Sequence, residues 1–258
     1  MHSSASAIPE NRKLALDGDF KCEELHQNSQ IVSDISINTL DEGTVFFAEC
    51  RFHHSCYRPV QFQQLGVVFP DALSTAVRKR QAEFLAGRFM AKLALSKLGF
   101  SEGNVAIGHH RQPVWPDGAI GSISHSASMA VCVAATSQHL QGIGVDIELW
   151  LDNTQGNQLS NGIVNRAEQA LLAAIDAPFS HLLTIVFSAK ESLFKALYCQ
   201  VKGYFDMLDA SIVNFTSEQK TLVLSINRDL SDDVRAGQTY TCNFQTLNTH
   251  VLTLVKVK

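Results

Sequence analysis

Gly144-Val145-Asp146-Ile147-Glu148 and, further along, Phe187-Ser188-Ala189-Lys190-Glu191-Ser192-Leu193-Phe194-Lys195 read as a strand and a helix that face one another. Residues two apart in an extended segment share a face, so Asp146 and Glu148 aim two carboxylates into one space while Val145 and Ile147 point away. At about 100° per residue, Ala189, Leu193, Ala196 and Leu197 gather on one stripe of the helix and Ser188, Glu191 and Lys195 on the other. Glu191 then supplies a third carboxylate, with Lys195 one turn further along the same stripe. Converging carboxylates flanked by ammonium groups suit a hard divalent cation and a phosphorylated substrate. That chemistry belongs to an enzyme.

Working outward, residues 130–135 and 142–148 have the pattern of buried strands, and residues 44–49 form another strand candidate. A long helical pattern over residues 73–98 stops at Gly99. Residues 1–43 are polar and weakly patterned, which suggests an extension or a loosely docked arm. Downstream, residues 152–162 read as a Gly/Asn-rich loop. Asn165-Arg166-Ala167-Glu168 then resembles a capping box that opens a helix. A second helix covers residues 179–200 with Gly203 marking its end, and residues 210–215, 221–226, 239–244 and 251–257 alternate as strands. The order predicts an α+β fold in two halves: an N-terminal extension over 1–43, one half over 44–140 and the other over 141–258.

Composition narrows the function. A hydrophobic share of 45% against 18% charged residues is that of a globular chain of 258 residues, and the formal net charge of -4 argues against a general nucleic-acid binder. No apolar run approaches the roughly 18–20 residues that span a bilayer, and the first residues lack the apolar core of a secretory signal. The 6 cysteines form no CxxC pair and read as reduced packing thiols, so the expected compartment is the cytoplasm.

Other segments admit two readings each. Gly121-Ser122-Ile123-Ser124-His125-Ser126 offers hydroxyls and an imidazole that can donate to phosphate oxygens, or is structural. Arg78-Lys79-Arg80 with Arg88 is a solvated helix face or a phosphate clamp. Cys50-Arg51-Phe52-His53-His54-Ser55-Cys56 has ligand types that suit zinc, at a spacing that matches no standard zinc pattern. Neither a P-loop nor a GxGxxG fingerprint is present.

Taken in order, Arg78–Arg80 with Glu83-Phe84-Leu85-Ala86-Gly87-Arg88, then Arg111-Gln112-Pro113-Val114-Trp115-Pro116, Ser122-Ile123-Ser124-His125, the 144–148 segment and the 187–195 segment resemble the 4′-phosphopantetheinyl transferases. The first two segments resemble the enterobactin synthetase component D-like subtype associated with siderophore synthases. The resemblance covers residues 45–255. It implies a pseudo-dimer of two similar α+β halves with the active site between them, and coenzyme A and Mg²⁺ as ligands. By analogy Asp146, Glu148 and Glu191 hold the metal, and Lys195 contacts the pyrophosphate of coenzyme A. Ser124 and His125 meet the 3′-phosphate, and Arg80 and Arg88 hold the nucleotide end, with Lys190 also in the motif. Glu168 is either the base for the incoming serine or simply the closing residue of its capping box.

The implied partners are apo aryl, peptidyl or acyl carrier domains. A chain that carries both halves is expected to work as a monomer, and association with a membrane-bound synthase complex stays open. Two competing readings of the same carboxylates are metal-assisted hydrolysis of a phosphoester and a coenzyme A- or carrier-binding module without catalysis.

Overall fold

The computed structural model of the chain describes residues 31–101 and 103–258. Two antiparallel sheets carry the fold, each covered on its outer face by one long helix. The first sheet is formed by β1 (Val32–Leu40), β2 (Val45–Phe52), β5 (Ala119–Ser126) and β6 (Met129–Thr136), in the order β1-β2-β6-β5. Before β5, the chain makes the short α1 (Val60–Gln64), the long α2 (Arg78–Lys97) and a small ribbon of β3 (Ala106–Ile107) and β4 (Pro113–Val114). The second sheet holds β7 (Gly142–Leu149), β8 (Ala210–Thr216), β9 (Thr221–Ile226), β10 (Thr239–Thr246) and β11 (His250–Val257), in the order β7-β11-β10-β9-β8. Between β7 and β8 lie α3 (Asn153–Ile163), α4 (Arg166–Ala173) and α5 (Phe179–Val201).

The expected likeness of the two halves is visible in their topology. In each, a strand leads through a long helix to a hairpin whose last strand returns beside the first. This gives β2-β6-β5 under α2 and β7-β11-β10 under α5. Leu85, Phe89, Met90 and Leu95 of α2 pack with Ala48, Cys50 and Cys132 of the first sheet. Leu193 and Leu197 of α5 pack with Val251, Val255 and Cys242 of the second. The faces turned away from the helices meet one another: Val45, Phe47, Val131 and Val133 bury against Ile143, Val145, Ile147 and Leu254. Alternation along β7 therefore serves both layers, with Val145 and Ile147 in this inter-sheet core and the even positions facing α5.

Two glycines bring α5 down onto β7. A Cβ at Gly142 would run into the carbonyl oxygen of Ala196, and one at Gly144 into that of Ser192. The helix backbone thus rests on the strand with no side chain between them, which draws Ser188 and Lys195 towards Asp146. Gly144→Ala should lower the unfolding free energy by about 3 kcal/mol, at the upper end of what an over-packed site costs. A urea midpoint equal to that of the parent chain would show that this close approach does not exist in solution.

Three expectations change. Residues 1–30 lie outside the described residues, but the rest of the anticipated extension is not an arm: β1 pairs with β2 from Val32↔Phe52 to Leu40↔Val45. It looked unpatterned because it is an edge strand with a bulge between Ser33 and Ser36, where Asp34 takes a φ of 50°. The anticipated loop at 152–162 is largely α3. Asp152 caps it, accepting from Gln155 N at 2.8 Å while its own N–H donates to Gln155 Oε1 at 3.1 Å. That capping box, with Gly156 packed against Ser180, outweighs the poor helix propensity of Gly and Asn. The end of α5 falls at Lys202, itself left-handed at φ 53°, one residue before Gly203.

Candidate active site

Asp146 is 2% exposed and its carboxylate accepts from three side-chain donors. Oδ1 accepts from Lys195 Nζ at 2.6 Å and from Ser124 Oγ at 2.8 Å, and Oδ2 accepts from Ser188 Oγ at 2.7 Å. Lys195 Nζ also donates to Ser124 Oγ at 3.1 Å and to the Val145 carbonyl at 3.2 Å. Behind Ser188 stands a layer of buried hydroxyls: Thr253 Oγ1 lies 2.9 Å from Ser188 Oγ and 2.7 Å from Ser192 Oγ. Thr253 is the register partner of Asp146 in β11, so the same strand pairing that places the carboxylate places its support.

Glu148 follows on the same face of β7, and Glu191 stands on α5. Burial, then the neighbouring Asp146, pushes the Glu148 carboxyl up to about 7, with Lys195 opposing and Glu191 adding. Burial also raises the Glu191 carboxyl, against the pull of Lys195 and with the push of Asp146. Three carboxylates sharing partly desolvated space carry more negative charge than one ammonium neutralises.

Among the described residues, no group of three His, Cys, Asp or Glu side chains forms a ready-made metal site, at these carboxylates or at the Cys50–Cys56 segment. Ser124, Ser188 and Lys195 hold the oxygens of Asp146. The chemistry of the set nonetheless fits a hard divalent cation: the donors are all carboxylate oxygens, and two have raised proton affinities that a cation would relieve.

On the other face of β5 lies a cavity of about 400 Å³ lined by Arg80, Glu83, Arg88, Arg111 and His125. Arg80 NH1 donates to His125 Nε2 at 2.8 Å. The guanidinium of Arg88 lies 4.7 Å above the Phe84 ring and donates from NH2 to the Ala106 carbonyl at 3.3 Å, while its buried Nε has no partner among the described residues. Three guanidinium groups in one small cavity make an anion site.

Arg80, Arg88 and His125 therefore come together as anticipated, but Ser124 does not join them. Adjacent residues on a strand face opposite ways, so β5 sends His125 to this cavity and Ser124 to Asp146 and Lys195.

Glu168 and Lys190 meet one another rather than the carboxylates. Glu168 Oε1 lies 2.8 Å from Lys190 Nζ, and each side chain is 1% exposed. Oε1 also accepts from Ile212 N at 2.9 Å and Oε2 from Asn165 N at 2.8 Å, while Lys190 Nζ donates to the Ile163 carbonyl at 2.7 Å. Asn165 Oδ1 accepts from Glu168 N at 3.0 Å, so the capping box is complete. With both oxygens engaged in the core, Glu168 has no opening towards a substrate, and neither it nor Lys190 lines the cavity or the adjoining cleft.

That cleft, of about 700 Å³, runs between β5 and the C-terminal half of α5. Its walls include Trp115, Ile120, Phe194, Tyr198 and Tyr204, and Lys195 stands in its lining. Arg111, Pro113 and Ile123 line both the cleft and the cationic cavity, so the two spaces adjoin. The cationic cavity and the apolar groove adjoin, and Lys195 of the carboxylate–lysine cluster stands in the groove's lining, a set of features suited to a ligand that is anionic in one part and apolar in another.

The chain matches the 4′-phosphopantetheinyl transferase N-terminal domain over residues 69–135 and the 4′-phosphopantetheinyl transferase superfamily over residues 142–255. It is similar to enterobactin synthase component D of Escherichia coli (strain K12), 42% identical over 176 residues, covering 67% of this chain and 82% of that protein. The enterobactin synthase component D of Salmonella typhi is 45% identical over 153 residues, 58% of this chain and 63% of its own length. A 4′-phosphopantetheinyl transferase of Mycobacterium tuberculosis is 30% identical over 144 residues, 54% of this chain and 61% of its own. The chain belongs to the 4′-phosphopantetheinyl transferase superfamily. Within that family it is of the enterobactin synthase component D type, although it spans only 63% of the length of the Salmonella typhi relative.

Proposed function

We propose that the chain transfers 4′-phosphopantetheine from coenzyme A to a serine of an apo carrier domain, releasing 3′,5′-ADP, in the assembly of an enterobactin-like siderophore. The observation that carries this reading is the cationic Arg80–Arg88–His125 cavity adjoining an apolar cleft, with Lys195 of the Asp146–Glu148–Glu191–Lys195 cluster in the cleft's lining. Coenzyme A has its 3′-phosphate and adenosine at one end, a pyrophosphate in the middle and the pantetheine arm at the other. The cavity would take the nucleotide end and the cleft the arm, which leaves the pyrophosphate at the cluster.

Asp146, Glu148 and Glu191 are the residues that would hold Mg²⁺. When bound, the ion would supply positive charge that offsets the charge building up on the leaving oxygen. Lys195 performs the matching task from the protein side. Its ammonium now rests on Asp146 at 2.6 Å and also lines the cleft, so it can move to a phosphate oxygen. The serine oxygen forms its bond to the β-phosphorus, and the bond from that phosphorus to the bridging oxygen of 3′,5′-ADP breaks. The serine proton leaves to solvent water, because Glu191, as a ligand of the cation, would lose the raised proton affinity it has alone. Glu168, locked in the core, takes no part in this step.

Both halves lie in one chain, so no second copy is needed to complete the cleft, and the protein is expected to act as a monomer. Among the described residues, no helix is long and apolar enough to cross a membrane. Because coenzyme A is a cytoplasmic metabolite, the reaction is assigned to that compartment.

Intact-protein mass spectrometry of an apo aryl or peptidyl carrier incubated with the chain, coenzyme A and Mg²⁺ tests the reading. The expected result is a mass gain of one phosphopantetheine, abolished by EDTA and restored by excess Mg²⁺. Gain that persists in EDTA would remove the metal from the proposal. No gain on aryl, peptidyl or acyl carriers would remove the transfer itself.

A further inference from the structure

Glu83 is a carboxylate inside an anion site, a placement that needs a reason. It lines the cationic cavity with a side chain only 14% exposed. Its Oε2 lies 3.5 Å from Arg80 NH1 and 3.9 Å from His125 Nδ1, and its Oε1 lies 3.9 Å from Lys79 Nζ. A guanidinium only donates, so the 2.8 Å contact from Arg80 NH1 makes His125 Nε2 an acceptor. The single ring proton of a neutral imidazole then sits on Nδ1, the nitrogen that faces Glu83. Burial holds His125 below its ordinary proton affinity, with Arg80 and Lys195 adding to that effect and Glu83 and Asp146 opposing it, which agrees with a neutral ring.

We infer that Glu83 is a positioning residue for recognition of the 3′-phosphate of coenzyme A: without touching the ligand, it fixes the reach of Arg80 and the tautomer and ring orientation of His125. The inference rests on reading this cavity as the site of the nucleotide end. With Nδ1–H facing the Glu83 carboxylate at 3.9 Å, Nε2 stays turned to the side from which Arg80 approaches. When Arg80 turns to a phosphate, Nε2 is left beside the same ligand. The charges are consistent with that ligand. Arg80, Arg88 and Arg111 against one Glu83 leave two positive charges in the lining, matching the roughly two negative charges of a phosphomonoester.

Pure charge and positioning predict opposite signs on removal of this carboxylate. Deleting a negative charge from an anion site should tighten an anionic ligand, whereas losing the brace of Arg80 and His125 should loosen it. Calorimetric binding of coenzyme A and of 3′-dephospho-coenzyme A to the parent chain, Glu83→Ala and Glu83→Asp separates them. Glu83→Ala is expected to weaken coenzyme A by about fivefold, the size of a lost, partly exposed ion pair, with dephospho-coenzyme A changed by less than about twofold. Glu83→Asp should recover part of the loss.

Tighter or unchanged coenzyme A binding in Glu83→Ala overturns the inference, and so does an equal loss for both ligands, which would mean a general disturbance of α2. If the parent chain itself binds both ligands equally, the placing of the 3′-phosphate in this cavity is what fails.

Discussion

Asp146→Asn should slow phosphopantetheine transfer by about 10³-fold or more at saturating coenzyme A, since it removes fixed charge from the place where a cation and Lys195 are organised. The shape is kept, but one acceptor oxygen becomes an amide that can only donate, and it must face either the Lys195 ammonium or the Ser188 hydroxyl. Lys195 loses its counter-ion, and any divalent cation loses one of three carboxylates. Time courses of carrier mass gain would measure the rate, with a urea titration beside them to show that the variant is folded. A folded variant that keeps its rate within about tenfold of the parent would remove Asp146 from the proposed machinery. Loss of transfer with loss of structure would instead make the residue a core hydrogen-bond hub, and Glu191→Gln, on a less enclosed side chain, would then decide.

The second large effect is on stability. Glu168→Ala should lower the unfolding free energy by about 3–5 kcal/mol, because it strands a buried ammonium, the Lys190 Nζ, without its carboxylate. It also leaves the backbone N–H groups of Asn165 and Ile212 without acceptors. Adding Lys190→Met should restore part of the loss, since removing both charges is milder than removing one. Transfer measured well below the melting transition should survive in the double variant. If Glu168→Ala unfolds like the parent chain yet fails to transfer, the residue is the base after all and its purely structural role falls.

Local periodicity made much of the fold and the centre of the site readable. Asp146 and Glu148 share a face because a strand repeats every two residues, and Ser188, Glu191 and Lys195 share one because a helix repeats at 3.6. The same rule applied to β5 would have separated Ser124 from His125. Reading them as one phosphate-binding pair put motif proximity ahead of strand geometry. The β1 strand escaped notice because an edge strand with a bulge shows little alternation.

α3 carried a readable signal, Asp152 with Gln155, beneath an unhelpful composition. By contrast, nothing local announces that Thr253 stands behind Ser188 across 65 positions of sequence. The same holds for the pairing of Lys190 with Glu168, which depends on how α4 docks on α5. The role inferred for Glu83 needed atomic distances, because a Glu one turn from Arg and Lys reads as an ordinary helix-surface ion pair.

The position of β11 bears on how the protein comes to be made. It is synthesised after every other described strand, yet it sits between β7 and β10, with Thr253 opposite Asp146. A nascent chain that has already emerged through α5 holds the Asp146 strand without its neighbour, and Ile143, Val145 and Ile147 without the cover of Leu252 and Leu254. Such distant pairing closes slowly. Competence therefore arrives in one step when residues 250–257 insert, and no partly grown chain carries a working fraction of it. The interval before insertion is when ribosome-bound chains are most exposed to aggregation, and when a chaperone has most to hold.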